Sequence, residues 1–144
     1  MKTPCITSLK IALWLVCIPH LVMGILICLP FTDISQIAAI AYKANVIPTP
    51  QLDHVARMLA GYYVVIGVLA LLAIRDPLNS SAIIFGFCVL LFIRFFQTIT
   101  FVNQAYVVFG MPAYVCWVLA VIYITLASAL IFLRPRPDSS CCKD

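Results

Sequence analysis

Four stretches of this chain run for about 20 residues each with almost no charge, the length an α-helix needs to cross the hydrocarbon core of a bilayer. They cover residues 11–30, 55–74, 81–102 and 113–133. Lipid offers no hydrogen bonds, so a backbone at that depth must satisfy its own N–H and C=O groups, and a single segment does so as a helix. Of the 144 residues, 65% are hydrophobic and 10% charged, whereas soluble domains carry about 25% charged residues. A soluble core of this size cannot hide that much apolar surface. The expected fold is therefore all-α: one integral membrane four-helix up-down bundle over residues 1–144, with residues 134–144 as a tail. The connections at 75–80 and 103–112 are short, so spans two, three and four should run antiparallel as neighbours.

Charge sets the orientation. With four spans, Lys2, Lys10, Arg75, Arg134, Arg136 and Lys143 fall on one side, and Lys43 and Arg57 on the other, leaving Arg94 aside. The side richer in Lys and Arg is cytoplasmic by the positive-inside rule, so both termini and the tail should be cytoplasmic. The basic residues are scattered singly without interleaved aromatics, which argues against a nucleic-acid partner. Asn79-Ser80-Ser81 spells a glycosylation sequon, but it lies in a short loop on the cytoplasmic side and is read as fortuitous.

Lys2 and Lys10 before an apolar run imitate a signal peptide. The run continues past the passable cleavage site Val22-Met23-Gly24 to Leu29, longer than the 7–15 residues of a signal core. An uncleaved first helix is expected, kinked or loosened by Pro19, which removes a backbone donor. Cys17, Cys28, Cys88 and Cys116 lie in spans, where cysteine behaves as a small hydrophobe. No C-x-x-C pair supports disulfide chemistry or a metal site, so no cofactor or metal is expected. Cys5 and the pair Cys141 and Cys142 flank the membrane and are candidates for S-acylation; reduced free thiols are the alternative.

The connection over 31–54 is too long for a turn. Asp33 can cap a short helix, with Ile34, Ile37, Ala38 and Ala41 following on one face and Lys43 at its C-terminal end. This predicts an amphipathic helix in the first extracytoplasmic loop, lying on the membrane face or folded over the bundle. Within the spans, Gly61, Gly67 and Gly86, with Ala56, Ala60, Ala70 and Ala73, offer small surfaces for close helix packing. Tyr62, Tyr63, Tyr106, Tyr114 and Trp117 fall near outer helix ends, as an interfacial belt would.

Polar groups inside the spans are few. Arg94 lies thirteen residues beyond Ser81, about 20 Å along a helix and so in the outer half of the membrane. A guanidinium there keeps its proton and needs a partner, a wet cavity or a route to the surface. Gln97 and Thr98 follow on the same face. Asp53, His54 and Arg57 enter the second span from that same side, and His20 lies near the middle of the first. Together Arg94, Gln97, Thr98, Arg57, Asp53, His54 and His20 form the candidate ligand-binding layer. Two readings compete: a buried network in which Arg94 pairs with Asp53 or Asp33, or a pocket for a small amphiphile or anion, into which Arg94 should point towards helix two. No intramembrane carboxylate suits proton coupling, no two histidines share a depth for haem, and no nucleophile–base pair is visible, so no catalytic residue is named.

A first span ending in Leu29-Pro30, then Ala56-Arg57 with Gly61 and Gly67 in the second, Arg94 in the third and a Gly-Pro-like step over 110–112 resembles the DoxX/BphX-like small four-helix membrane proteins. That resemblance implies the four-helix fold more than any one function, since some DoxX relatives are accessory subunits of quinone-linked oxidoreductases and others assist receptor assembly. The leading expectation is a non-enzymatic accessory or lipid/small-ligand-binding protein. The alternative is a small membrane enzyme or oxidoreductase subunit acting on a quinone-like or lipid substrate. Expected partners are membrane lipids and a larger membrane protein or a second copy of the chain.

Overall fold

Long apolar runs need no amphipathic stripe to be helical, only length, and the first of them stays helical through Pro19. The computed structural model describes residues 3–47 and 49–134. Among the described residues six α-helices follow one another: α1 (Thr3–Cys28), α2 (Ile34–Tyr42), α3 (Pro50–Arg75), α4 (Ser81–Thr100), α5 (Val102–Phe109) and α6 (Ala113–Leu133). Four of them, α1, α3, α4 and α6, are long and apolar enough to cross a membrane. The first starts well before residue 11, and α4 stops at Thr100, where Phe101 separates it from α5. The α5 helix occupies what was expected to be a connecting loop. Cys141 and Cys142 lie outside the described residues.

Local chemistry explains the helix ends. Asp33 accepts from the Ser35 amide at 2.8 Å and from its hydroxyl at 2.7 Å, capping α2 as its position in the sequence predicted. The α2 helix closes at Lys43, which adopts the left-handed conformation (φ 51°). Thr49 caps α3, with Pro50 in the first turn, where its missing N–H costs nothing. Gly110 ends α5 with φ 61°, a conformation glycine takes without penalty.

Packing is dominated by two helix pairs, α1 with α3 and α4 with α6, and α1 joins the pairs by a thinner contact with α6. The expectation that spans two and three would be close neighbours is not met: α3 and α4 touch sparsely despite the short turn between them. In lipid, loop length only limits how far apart two helices can be, whereas small side chains decide which surfaces meet. The α1/α3 seam shows this. Cys17, Leu21 and Gly24 of α1 face Gly67, Val64 and Ala60 of α3, so that a Cβ on Gly24 would lie 2.8 Å from the Val64 amide nitrogen and one on Gly67 2.5 Å from Leu21 Cγ. The Cys17 thiol donates to the Gly67 carbonyl at 3.5 Å. Gly61 and Gly86, also expected at packing surfaces, have no neighbour within 4 Å of a Cβ position.

The core occupies one end of the assembly. Leu9, Leu13 and Val16 of α1 meet Ala70 and Ala73 of α3, Ile84, Phe87 and Leu91 of α4, and Ala127 and Leu130 of α6. At that end Arg134 closes the α4/α6 pair, donating from Nε to Ser81 Oγ at 2.8 Å and lying over the Phe85 ring at 4.9 Å. Outward-facing surfaces are apolar too, with Ile11, Trp14, Leu15, Ile18 and Val22 all exposed along α1.

Candidate functional site

Beyond the core the helices open around a cavity of about 240 Å³. Along α1 and α4 residue numbers rise from core to cavity, and along α3 and α6 they fall, so all four helices reach it above the same packed base. Its polar lining comes from five elements: His20 of α1, Tyr42 of α2, Tyr63 of α3, Arg94 of α4 and Tyr123 of α6. The rest is aliphatic, including Leu90, Leu119 and Leu126.

Arg94 is half-buried and points into this chamber. Its Nη2 donates to the Tyr63 hydroxyl at 3.3 Å, and its guanidinium carbon lies 5.8 Å from the centre of the Tyr63 ring. Among the described residues no carboxylate forms an ion pair with it. The expected pairing with Asp53 or Asp33 does not occur, because Asp53 is held by its own helix. Arg57 Nε and Nη2 grip the two Asp53 oxygens at 2.8 and 3.0 Å, an i,i+4 fork. The other face of the Arg57 guanidinium reaches the chain leaving α1, donating to the carbonyls of Ile27 at 3.3 Å, Leu29 at 2.6 Å and Thr32 at 3.4 Å. The Ile27 carbonyl belongs to the last turn of α1, which lacks helical donors, and Leu29 and Thr32 lie just beyond it, so Arg57 and Asp53 act as a clamp fastening the end of α1 to the start of α3. Asp33, which is exposed, lines with Asp53 a separate small pocket of about 50 Å³. The hydrogen bonds from Ser35 hold the Asp33 carboxyl below its ordinary range.

His20 Nδ1 donates to the Val16 carbonyl at 2.6 Å. Since a carbonyl only accepts, the neutral ring leaves Nε2 as an acceptor. The ring also sits 5.5 Å from that of Tyr63, tilted by 54°. Thr98 bonds back to the Arg94 carbonyl at 2.7 Å. Gln97 and His54 are exposed and outside the cavity. The predicted layer thus divides: Arg94 and His20 face the chamber, Thr98 supports the turn bearing Arg94, Arg57 and Asp53 form the clamp, and Gln97 and His54 face outward.

The three tyrosines were not singled out as site residues. Tyr63 had been placed in an interfacial belt, and Tyr62, Tyr106, Tyr114 and Trp117 are indeed exposed, but Tyr63 turns inward. Tyr123 carried a readable signal, a phenol midway along an uncharged span whose hydroxyl has to find a partner. Tyr42 carried none, because it lies on α2, outside the four long helices, and tertiary structure alone brings it to the cavity. Burial pushes the Tyr42 hydroxyl up to about 12, so it stays protonated and able to donate at any physiological pH. Next to it, Lys43 lies 5.4 Å from the centre of the Tyr114 ring, and the Asn45 amide donates to the Phe109 carbonyl at 2.7 Å, pinning the α2 connection against the end of α5.

Exposed members of the lining are Leu15 and Pro19 of α1 and Ile122 of α6, which puts the mouth between those two helices. Pro19 has no amide proton to offer the carbonyl of Leu15, four residues back, so a polar acceptor without its helical donor stands at the rim. No family model, curated protein or solved structure matches the chain, and the DoxX/BphX-like resemblance rests on its short motifs alone.

Proposed function

We propose that this chain is a four-span, up-down integral membrane protein with both termini cytoplasmic, and that its cavity binds a small amphiphilic ligand in a non-enzymatic, accessory role. The observation that carries the reading is Arg94: a permanent cation in a largely apolar chamber, partnered by one tyrosine hydroxyl and by no carboxylate among the described residues. A cation at membrane depth is costly unless something compensates it, and a ligand is the compensation this geometry leaves room for. Four converging polar neighbours in an aliphatic cavity match the usual build of a small-molecule site, where a few placed polar groups orient a mostly apolar guest. The volume, about 240 Å³, falls just below the usual range of about 300–1,000 Å³ for such sites, room for a head and a few carbons rather than a whole lipid. In this reading α2 lies along the outer face of the membrane and roofs the site with Tyr42.

The test is extraction of the full chain with its surrounding lipid into nanodiscs, followed by mass spectrometry of what remains bound. Wild-type protein should retain a defined small amphiphile that Arg94→Leu loses while its helical content and elution volume are unchanged. An Arg94→Leu variant that is more thermostable and retains the same molecules as wild type would mean that the cation was merely tolerated, and the reading would be withdrawn.

A further inference from the structure

We infer that the guest is a single-chain monoanion of the long-chain carboxylate class, which enters sideways from the bilayer between α1 and α6 and seats its head against Arg94. This rests on the binding role proposed above and names its ligand class. Three features of the cavity carry it.

The first is charge. The chamber holds one permanent cation and, among the described residues, no ion-paired acid. A single negative charge balances it, whereas a dianionic phosphate monoester would leave a net charge buried in apolar surroundings. The planar guanidinium fork fits a carboxylate through two parallel N–H···O bonds, and among the described residues it spends one donor, on the Tyr63 hydroxyl at 3.3 Å. Hydroxyls of Tyr42, Tyr63 and Tyr123 surround the same space as further donors to an oxyanion. The second is size. A cavity of about 240 Å³ accepts the head and the first carbons of a chain, and the remainder must lie outside. The third is the mouth. Its exposed rim is Leu15, Pro19 and Ile122, aliphatic side chains on two spans, so the part left outside meets the hydrocarbon of the bilayer rather than water. A chain with one tail fits an opening between two helices that remain in contact.

The experiment uses the full chain in phosphatidylcholine nanodiscs loaded with oleate labelled with ¹³C at its carboxyl carbon. Opposite charge within a few ångströms lowers a carboxyl pKa by about 1–3 units. Bound oleate should therefore show a second carboxyl resonance whose pH midpoint lies at least about one unit below that in protein-free discs. The charged and titratable groups facing it are Arg94, His20, Tyr42, Tyr63 and Tyr123, and His20→Gln, which leaves the Arg94 charge untouched, should leave the shift largely in place. Arg94→Gln should abolish the shifted resonance and weaken oleate retention about tenfold or more. Leu119→Trp, which fills the chamber and leaves residue 94 an arginine, should abolish it as well and guards against a misfolded Arg94 variant. Acetate, with the head and no tail, should give no shifted resonance.

Other outcomes overturn the inference in distinguishable ways. If oleyl alcohol is retained as well as oleate and Leu119→Trp abolishes both, the cavity binds amphiphiles but the carboxylate class is wrong. Stronger retention of oleyl phosphate moves the class to phosphate. Acetate binding with the affinity of oleate overturns access from the bilayer. If no amphiphile responds to Leu119→Trp, the binding role proposed above fails too.

Discussion

Replacing Gly24 by alanine adds one methyl group at the tightest point of the α1/α3 crossing. An ideal Cβ there lies 2.8 Å from the Val64 amide nitrogen, 2.9 Å from Val64 Cγ2 and 3.0 Å from the Ala60 carbonyl oxygen. Ordinary contact begins at 3.4 Å, so the helices must part by 0.6 Å at this point (3.4 minus 2.8). Two of the three obstacles are backbone atoms, which cannot swing aside as a side chain could. A gap of about 0.5–1 Å forfeits about a quarter to a half of the dispersion energy between facing atoms, and helix association in lipid depends largely on that term. Overpacking of this kind costs about 1–3 kcal/mol. Alanine recovers about 1 kcal/mol of that through helix propensity. The propensity gain cancels in a comparison with Gly61→Ala, because a Cβ at Gly61 has nothing within 4 Å. Gly24→Ala should therefore be less stable than Gly61→Ala by about 1–3 kcal/mol, read from reversible unfolding in bicelles. Two variants within about 0.5 kcal/mol of each other would refute the close crossing and the seam built on it.

Loss of the clamp in Arg57→Gln should speed amide exchange over the residues linking α1 to α2, and Asp53→Asn should do so more mildly, because the three carbonyl contacts of Arg57 survive it. Hydrogen exchange by mass spectrometry reads both, and unchanged protection in Arg57→Gln would remove the clamp. The α2 cap has a defined pH dependence: the Asp33 carboxyl titrates below its unfolded value of about 3.9, so its contribution is fully present above that pH and is lost as pH falls through the folded value. Protection of the Ser35 amide should be unaltered from pH 7 to 5 and drop on further acidification, whereas in Asp33→Ala it should be low throughout. Tyr42 behaves in the opposite sense. With its hydroxyl raised to about 12 from an unfolded value of about 10, its contribution is intact below the unfolded value and lost as pH climbs towards the folded one. Ultraviolet titration should show a late tyrosinate component that Tyr42→Phe removes, and an unchanged titration curve in that variant would place Tyr42 outside the cavity.

Much of the architecture was readable residue by residue. Run length alone announced four helices long and apolar enough to span a membrane, since lipid leaves a backbone no alternative way to satisfy itself. The Asp33 cap and the α2 helix followed from a carboxylate ahead of an i, i+3, i+4, i+7 pattern, because a cap bond is local in sequence. The α5 helix was missed: Val102–Phe109 is short, flanked by Phe101 and Gly110, and has no side-chain cap to announce it. The importance of Gly24 was hidden as well, since a glycine in an apolar run looks the same whether it faces lipid or another backbone.

Sequence by itself determined the class of molecule, the helices long and apolar enough to span, and the presence of one costly cation in the third of them. Tertiary structure decided what that cation meets. Arg57 and Asp53 satisfy each other and the end of α1, which leaves Arg94 to Tyr63 and to a chamber completed by Tyr42 and Tyr123. The reason is rotational. Spans such as α1 and α6 are apolar on every side, so periodicity carries no instruction about which face turns inward. That choice is made by steric fit, by where Gly24, Ala60 and Gly67 allow two backbones to approach, and only then is it settled which polar groups share a cavity.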